Sequence, residues 1–213
     1  MLVGDIISNN VITLTVDDDV KKAFEVMKAN NIRHIPVLDG QELVGIVTNT
    51  DLRHVLIPSR SEGSENVYYF TSKFSTVEEI MTKTPIIISP QADVEEAAAL
   101  LQHYKIGGLP VVQDNELVGM ITETDILGVF VEIMGVIKYS SRVEVSLGED
   151  AEAFQNVSQI IRENGAEIIS VGMSPLEEQK KRVYYFRLDT DDINSIAESL
   201  KDNGYDVVSA TSA

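Results

Sequence analysis

The feature that most constrains this chain of 213 residues is an internal duplication without gaps. Identical residues recur 74 positions apart: Val20, Ala23, Ile32, Pro36, Val37, Leu43, Val44, Gly45, Thr48, Thr50 and Asp51 return as Val94, Ala97, Ile106, Pro110, Val111, Leu117, Val118, Gly119, Thr122, Thr124 and Asp125. The copies run from 5 to 56 and from 79 to 130. Two copies are too few for a solenoid, so the duplication predicts two paired modules.

Both copies show the same succession of sequence patterns. β-branched runs predict a strand, apolar residues at helical spacing behind an aspartate predict a capped helix, and a hairpin and a short helix follow. The first strands are predicted at 11–15 and 85–89, and the helix caps at Asp19 and Asp93. The hairpin turns are predicted at 39–40 and 114–115, and the short helices start at Thr48 and Thr122. The fold class is therefore mixed α/β, with strand-helix-strand-strand-helix occurring twice.

The remaining segments follow a different order. Proline, serine and glycine dominate 57–75, which predicts a linker that includes the aromatic run 67–70. Beyond residue 139 the patterns predict strand, helix, strand, strand, helix and strand, the split βαβ or ferredoxin-like arrangement. The predicted domains are 1–58, the linker 59–75, 76–138 and 140–213.

Composition argues against several classes of function. The formal net charge of −17 repels nucleic acids and anionic lipid surfaces, so we expect neither partner. The absence of cysteine excludes disulfides and thiolate chemistry, and fits the cytoplasm. His34, His54 and His103 lack metal-ligand spacing, and no nucleophile elbow or carboxylate pair stands out, so we expect no metal and no enzyme activity.

The most specific chemistry is the motif Gly-x-x-Thr-x-x-Asp, present as 45–51 and 119–125. A threonine followed three residues later by an acid is a variant of the helix capping box, which needs no ligand. The same motif also suits a nucleotide, because a helix N-terminus and a hydroxyl accept phosphate, while a carboxylate accepts bonds from ribose hydroxyls. Both interpretations remain open for Thr48, Asp51, Thr122 and Asp125.

Two adjacent cationic or titratable residues, Arg33 and His34, precede the predicted strand of the first copy. In an acidic chain they can bind an anionic ligand such as phosphate. Alternatively, Arg33 forms a surface ion pair and His34 is a residue at the strand end whose hydrogen bonds are satisfied. The second copy has Gly107 and Gly108 at these positions. We therefore expect the two copies to bind differently, with the phosphorylated ligand beside Asp51 and a less charged nucleoside, or none, beside Asp125.

These duplicated motifs resemble CBS motifs, which pair into a Bateman module with two clefts. The whole chain resembles the AcuB family of acetoin-utilisation regulators. The resemblance implies a regulatory adenine nucleotide, AMP, ADP or ATP, with the aspartates on ribose, the threonines near ribose or phosphate, and Arg33 and His34 near phosphate. It also implies adenine contacts from apolar residues and from backbone near Thr13; the apolar positions are Val11, Ile12, Ile35, Ile86 and Leu109.

The C-terminal segment resembles ACT domains. Glu149 and Phe154 match the acidic and apolar positions of the ACT ligand loop, while Ala151 and Glu152 replace its Pro-Gly. The resemblance thus implies pairing into a homodimer or larger homo-oligomer more than amino-acid sensing. The expected function is a non-catalytic sensor that binds an adenosine ligand and couples it to the oligomer arrangement through the ACT-like domain, with an unknown protein target. A ligand-independent oligomerisation scaffold and an amino-acid sensor are the alternatives.

Overall fold

The computed structural model describes residues 1–59, 67–70, 74–135, 140–148, 152–176 and 181–212. They form two compact units, Met1–Ile126 and Leu127–Ala213. The domain boundaries expected at 58, 75 and 138 stay predictions.

The first unit contains both sequence repeats. In chain order its elements are β1 (Leu14–Thr15), α1 (Val20–Asn30), β2 (His34–Asp39), β3 (Glu42–Thr48), α2 (Asn49–Val55), β4 (Leu56–Ser59), β5 (Val67–Phe70), β6 (Thr82–Lys83), α3 (Val94–Tyr104), β7 (Gly108–Gln113), β8 (Glu116–Thr122) and α4 (Glu123–Ile133), which extends into the second unit. The predicted helices and hairpins are confirmed in both repeats.

The first strand of each repeat is shorter than predicted. Only Leu14–Thr15 of the run 11–15 forms β1, parallel to β2, and only Ile88 of the run 85–89 bridges in parallel to Val111. Pro85 cannot donate a ladder hydrogen bond, which limits pairing at that end. The linker also differs from prediction, since the aromatic run within it forms β5, which pairs antiparallel with β4.

Each repeat is completed by the segment that leads into the other repeat. We call residues 1–8 and 75–83 the leading segments. The amide of Val77 donates to the carbonyl of Asp18 at 2.7 Å, and the amide of Val3 donates to the carbonyl of Ala92 at 2.9 Å. Both valines are fully buried, Val77 in the core of the first repeat and Val3 in that of the second.

Sheet pairing follows the same exchange. Strand β6 pairs antiparallel with β3, and Ser8 forms the equivalent bridge to Met120 in β8. Glycine permits the close crossing: a Cβ on Gly45 would clash with the Met81 sulfur, and a Cβ on Gly119 would lie 2.6 Å from Cδ1 of Ile7. The glycine of the repeated motif therefore makes room for the leading segment of the opposite repeat.

The second unit has the element order that the sequence predicts. After α4 it contains β9 (Ser141–Ser146), α5 (Ala153–Glu163), β10 (Glu167–Leu176), β11 (Lys181–Asp189), α6 (Ile193–Asp202) and β12 (Asp206–Thr211). The four strands form one antiparallel sheet in the order β10-β11-β9-β12. The core joins sheet residues such as Val143 and Phe186 to Ile161 and Leu200 of the helices.

Both helices of this unit end as expected. Gly165 and Gly204 follow α5 and α6 with φ of +81° and +85°, a left-handed conformation that glycine adopts at little cost. The α6 N-terminus is capped by the Asp192 side chain, which accepts a hydrogen bond from the Ser195 amide at 3.1 Å.

Candidate functional site

Two clefts in the first unit are lined by equivalent positions of opposite repeats. The first, of about 360 Å³, is called the Asp51 cleft and is lined by His34, Ile46, Thr48, Thr50, Asp51, Thr82, Thr84, Pro85, Ile86, Lys105, Ile106, Gly107, Gly108 and Pro110. The second, of about 340 Å³, is called the Asp125 cleft and is lined by Ser8, Asn10, Val11, Ile12, Asn31, Ile32, Arg33, His34, Met120, Thr122, Thr124 and Asp125. Both volumes fall within the range of small-molecule sites.

The threonine and aspartate of each motif form a capping box where the strand passes into the helix. Oδ2 of Asp51 accepts hydrogen bonds from the amide and hydroxyl of Thr48, each at 2.7 Å. Oδ2 of Asp125 does the same with Thr122, at 2.8 and 2.7 Å. The bonds fix both carboxylates at a helix start, so the predicted capping bonds are present in both motifs, and the nucleotide interpretation stays a prediction.

The capping bonds do not exhaust either carboxylate. Within residues 1–59 and 74–135, Oδ1 of Asp51 and Oδ1 of Asp125 accept no hydrogen bond. Both side chains are half-buried and line their clefts. An ionised carboxylate accepts but cannot donate, so a ligand that meets Oδ1 must present a donor, and the paired hydroxyls of a ribose do so.

Each cleft takes its opposite wall from the other repeat, and this corrects the expected grouping. Arg33 lines the Asp125 cleft, whereas Gly107 and Gly108 line the Asp51 cleft with Lys105. The expectation that Arg33 accompanies Asp51 is therefore wrong. The reason is the exchange of leading segments, which places the residues before β2 opposite the start of α4, and the residues before β7 opposite the start of α2.

The apolar positions are also divided between the clefts. Val11 and Ile12 line the Asp125 cleft and Ile86 lines the Asp51 cleft. Ile35 and Leu109 line neither, because both are fully buried in the repeat cores, so their expected adenine contact is wrong.

Thr13 lies on a neighbouring groove of about 320 Å³, beside Val11 and Leu38. It is half-buried and lies in an irregular segment, outside β1. The structure thus brings together eleven of the fourteen expected positions in two groups and leaves out Ile35, Leu109 and Thr13.

His34 lies in the wall that the two clefts share. Burial lowers its pKa, and the adjacent charge of Arg33 lowers it further, while Glu123 and Asp51 raise it. At neutral pH the imidazole is therefore uncharged. In this form it can donate one hydrogen bond and accept another.

Some lining residues were not expected from the motif. Thr82 and Thr84 line the Asp51 cleft, as Ser8 and Asn10, their equivalents 74 positions earlier, line the Asp125 cleft. The repeat spacing was the available signal, because these polar residues precede each first strand at matching positions. Lys105 lies at the left-handed end of α3, with φ of 54°, and is exposed.

Among the described residues, no group of three histidine, cysteine or carboxylate residues could hold a metal ion. None of the described helices is both long and apolar enough to span a membrane.

Comparison with known protein families assigns the repeats. The model of the CBS domain matches residues 3–58 and 77–132. Inosine-5′-monophosphate dehydrogenase from Korarchaeum cryptofilum is 36% identical over 121 residues, which are 56% of this chain and 22% of the enzyme. This chain therefore spans only about a fifth of that curated relative.

Solved structures resemble the repeat pair. The CBS domain pair of protein MJ0100, crystallised with 5′-methylthioadenosine and S-adenosyl-L-methionine, is 30% identical with a TM-score of 0.53, over 62% of this chain and 97% of the other. A Vibrio cholerae protein assigned to acetoin utilization (AcuB) is 30% identical with a TM-score of 0.52, over 64% of this chain and 94% of the other.

Proposed function

Because this chain belongs to the CBS domain family, we propose that it is a non-catalytic regulatory protein whose two clefts bind adenosine-containing ligands. The observation that carries the proposal is the pair of equivalent clefts, each lined by a carboxylate that is fixed at a helix start and keeps one oxygen without a hydrogen bond from the described residues. The MJ0100 pair supports it, since both of its named ligands contain adenosine.

The charges of the clefts divide the ligands between them. Arg33 gives the Asp125 cleft a permanent cation beside a helix N-terminus, so this cleft holds the phosphorylated ligand, of the AMP, ADP or ATP class. The Asp51 cleft has Lys105 on a flexible stem and a wall of two glycines, which suits a less charged nucleoside. In a chain of net charge −17 a local cation decides where an anion binds.

Calorimetric titration with adenosine and AMP tests the proposal. Asp51→Ala removes binding in one cleft and Asp125→Ala removes it in the other, while the double variant binds neither ligand. Asp19→Ala is the matched control, because Asp19 also caps a helix, accepting from the Lys22 amide at 2.6 Å, but lines neither cleft. Undiminished affinity in the double variant would overturn the assignment.

One observation favours a second candidate, a ligand-independent scaffold. The capping boxes of Thr48 and Thr122 are complete without a ligand. Denaturation with and without AMP separates the candidates, since a ligand at about 100 times its dissociation constant stabilises the native state by about 2.7 kcal/mol. A scaffold shows no shift.

The second unit is proposed to be an ACT-like pairing domain. Its βαββαβ order and antiparallel sheet support this assignment. Residues 149–151 of the expected ligand loop lie outside the described residues; Phe154, beyond them, is 41% exposed and stacks on Phe186. Saturable binding of an amino acid in equilibrium dialysis would instead favour the amino-acid sensor.

A homodimer or larger homo-oligomer belongs to the same proposal. Leu127, Phe130 and Ile133 recur every three residues on α4, with 59%, 59% and 61% of their surfaces exposed, and apolar faces of this kind mark interfaces. Phe130→Glu is expected to lower the sedimentation coefficient if α4 pairs copies of the chain. The link to acetoin utilisation stays a proposal on the AcuB resemblance, the cytoplasmic location stays a proposal on the absence of cysteine, and a regulated protein target is proposed without an identity.

A further inference from the structure

His34 differs from every other lining residue because it borders both clefts. Its equivalent in the second repeat is Gly108, 74 positions later, so the repeat symmetry is broken at the shared wall. One side chain of the first repeat thus fills a place where the second repeat offers only backbone.

Two glycines of the second repeat accommodate the His34 ring. A Cβ on Gly107 would lie 2.8 Å from Nε2 of His34, and a Cβ on Gly108 would lie 3.4 Å from its Cγ. A side chain at 107 would therefore have to displace the imidazole. The two glycines are therefore explained by the space that the imidazole of His34 needs, and no bound phosphate is required to explain them.

The charged groups around His34 come from four parts of the fold. Arg33 precedes it on the chain, Asp51 lies on α2, and Glu123 is the first residue of α4. Lys105 lines the Asp51 cleft from the end of α3. Burial and Arg33 favour the neutral imidazole, whereas the two carboxylates favour the imidazolium. A phosphate in either cleft would add negative charge to the second group.

We propose that His34 is a charge selector shared by both clefts, which on taking up a proton raises the affinity of each cleft for phosphorylated over uncharged adenosine ligands. The inference rests on the proposed function. Its physical basis is that one imidazolium adds the same positive charge to two sites at once. Acidification should therefore shift ligand choice in both clefts together.

The test compares the ratio of AMP affinity to adenosine affinity at pH 6 and pH 8 by calorimetry. Asp125→Ala isolates the Asp51 cleft, and Asp51→Ala isolates the Asp125 cleft. In each background the intact His34 protein is compared with His34→Gln, so that titration of the AMP phosphate and loss of the aspartate cancel. We expect acidification to raise the ratio about fivefold more with His34 than with glutamine, in both backgrounds.

His34→Gly is a second variant, since it copies the residue found at the equivalent position 108. Coinciding pH dependence with and without the histidine, or an effect confined to one cleft, would overturn the inference while leaving adenosine binding intact. Absence of adenosine and AMP binding in both backgrounds and in the unmodified protein would overturn the proposed function, and the inference with it.

Discussion

Alanine at the two motif glycines should have unequal effects, although Gly45 and Gly119 are equivalent positions. A Cβ on Gly119 would lie 2.6 Å from Cδ1 and 3.1 Å from Cβ of Ile7. A Cβ on Gly45 would clash with the Met81 sulfur and lie 3.0 Å from its Cγ. Methionine has three rotatable bonds and can move aside, whereas the Cβ of isoleucine cannot move without its backbone.

The magnitude follows from two opposing contributions. Replacing glycine by alanine stabilises a protein by about 0.4–1 kcal/mol through the unfolded chain, where the residue can adopt the native conformation. Overpacking costs about 1–3 kcal/mol. For Gly45→Ala the contributions nearly cancel, leaving a loss below about 1 kcal/mol even with the Thr82 carbonyl 3.2 Å away. For Gly119→Ala we expect a loss of about 2 kcal/mol.

Urea denaturation followed by circular dichroism measures both variants, with hydrogen exchange assigning the loss to β7–β8. A double-mutant cycle with Ile7→Ala isolates the contacts that Cδ1 and Cγ1 of Ile7 make, at 2.6 and 3.1 Å from the added Cβ, so truncating Ile7 should relieve the cost of Gly119→Ala by at least about 1 kcal/mol. If Gly45→Ala is as damaging as Gly119→Ala, or if Ile7→Ala brings no relief, the proposed crossing of the leading segment at Gly119 is wrong.

Three further predictions concern stability. Asp19→Ala should cost about 1 kcal/mol in thermal unfolding and its equivalent Asp93→Ala much less, since the Asp93 side chain makes no capping bond to a described residue. Val77→Ala should cost about 2 kcal/mol and speed hydrogen exchange in α1 and β2; faster exchange only in α3 and β7 would contradict the exchanged pairing. The folded protein should lose stability as the pH falls below 6.5, the pKa of His34 in the unfolded chain, because this pKa is lowered in the folded state. The unfolding free energy of His34→Gln should therefore depend less on pH in this range.

The sequence predicted the elements because the repeat presents each pattern twice. The helices after Asp19 and Asp93 and the hairpins were read from local periodicity and turn residues, which act within a few positions of the chain. The lengths of the first strands were predicted wrongly, because β-branched composition does not reveal whether a partner strand is available. Val11 and Ile12 line a cleft instead.

The site was predicted in its residues but not in its grouping. Thr48 and Asp51 were found because their bond spans three residues, and such local geometry is encoded in spacing. The partnership of Asp125 with Arg33 depends on which repeat supplies the opposite wall. A pattern along the chain carries no information on that choice, which the long-range pairing of β3 with β6 determines.

Because each leading segment packs on the opposite repeat, neither repeat can be lost without damaging the fold of the other. A chain shortened to one copy would lose the valine that fills its own interior, and would expose the sheet margin that β6 or Ser8 now covers. Half of this molecule is therefore not a smaller version of it, and expressing either copy by itself should give an insoluble or unfolded product. Mutations can change the residues of the two clefts separately, but both repeats must be kept for either cleft to form.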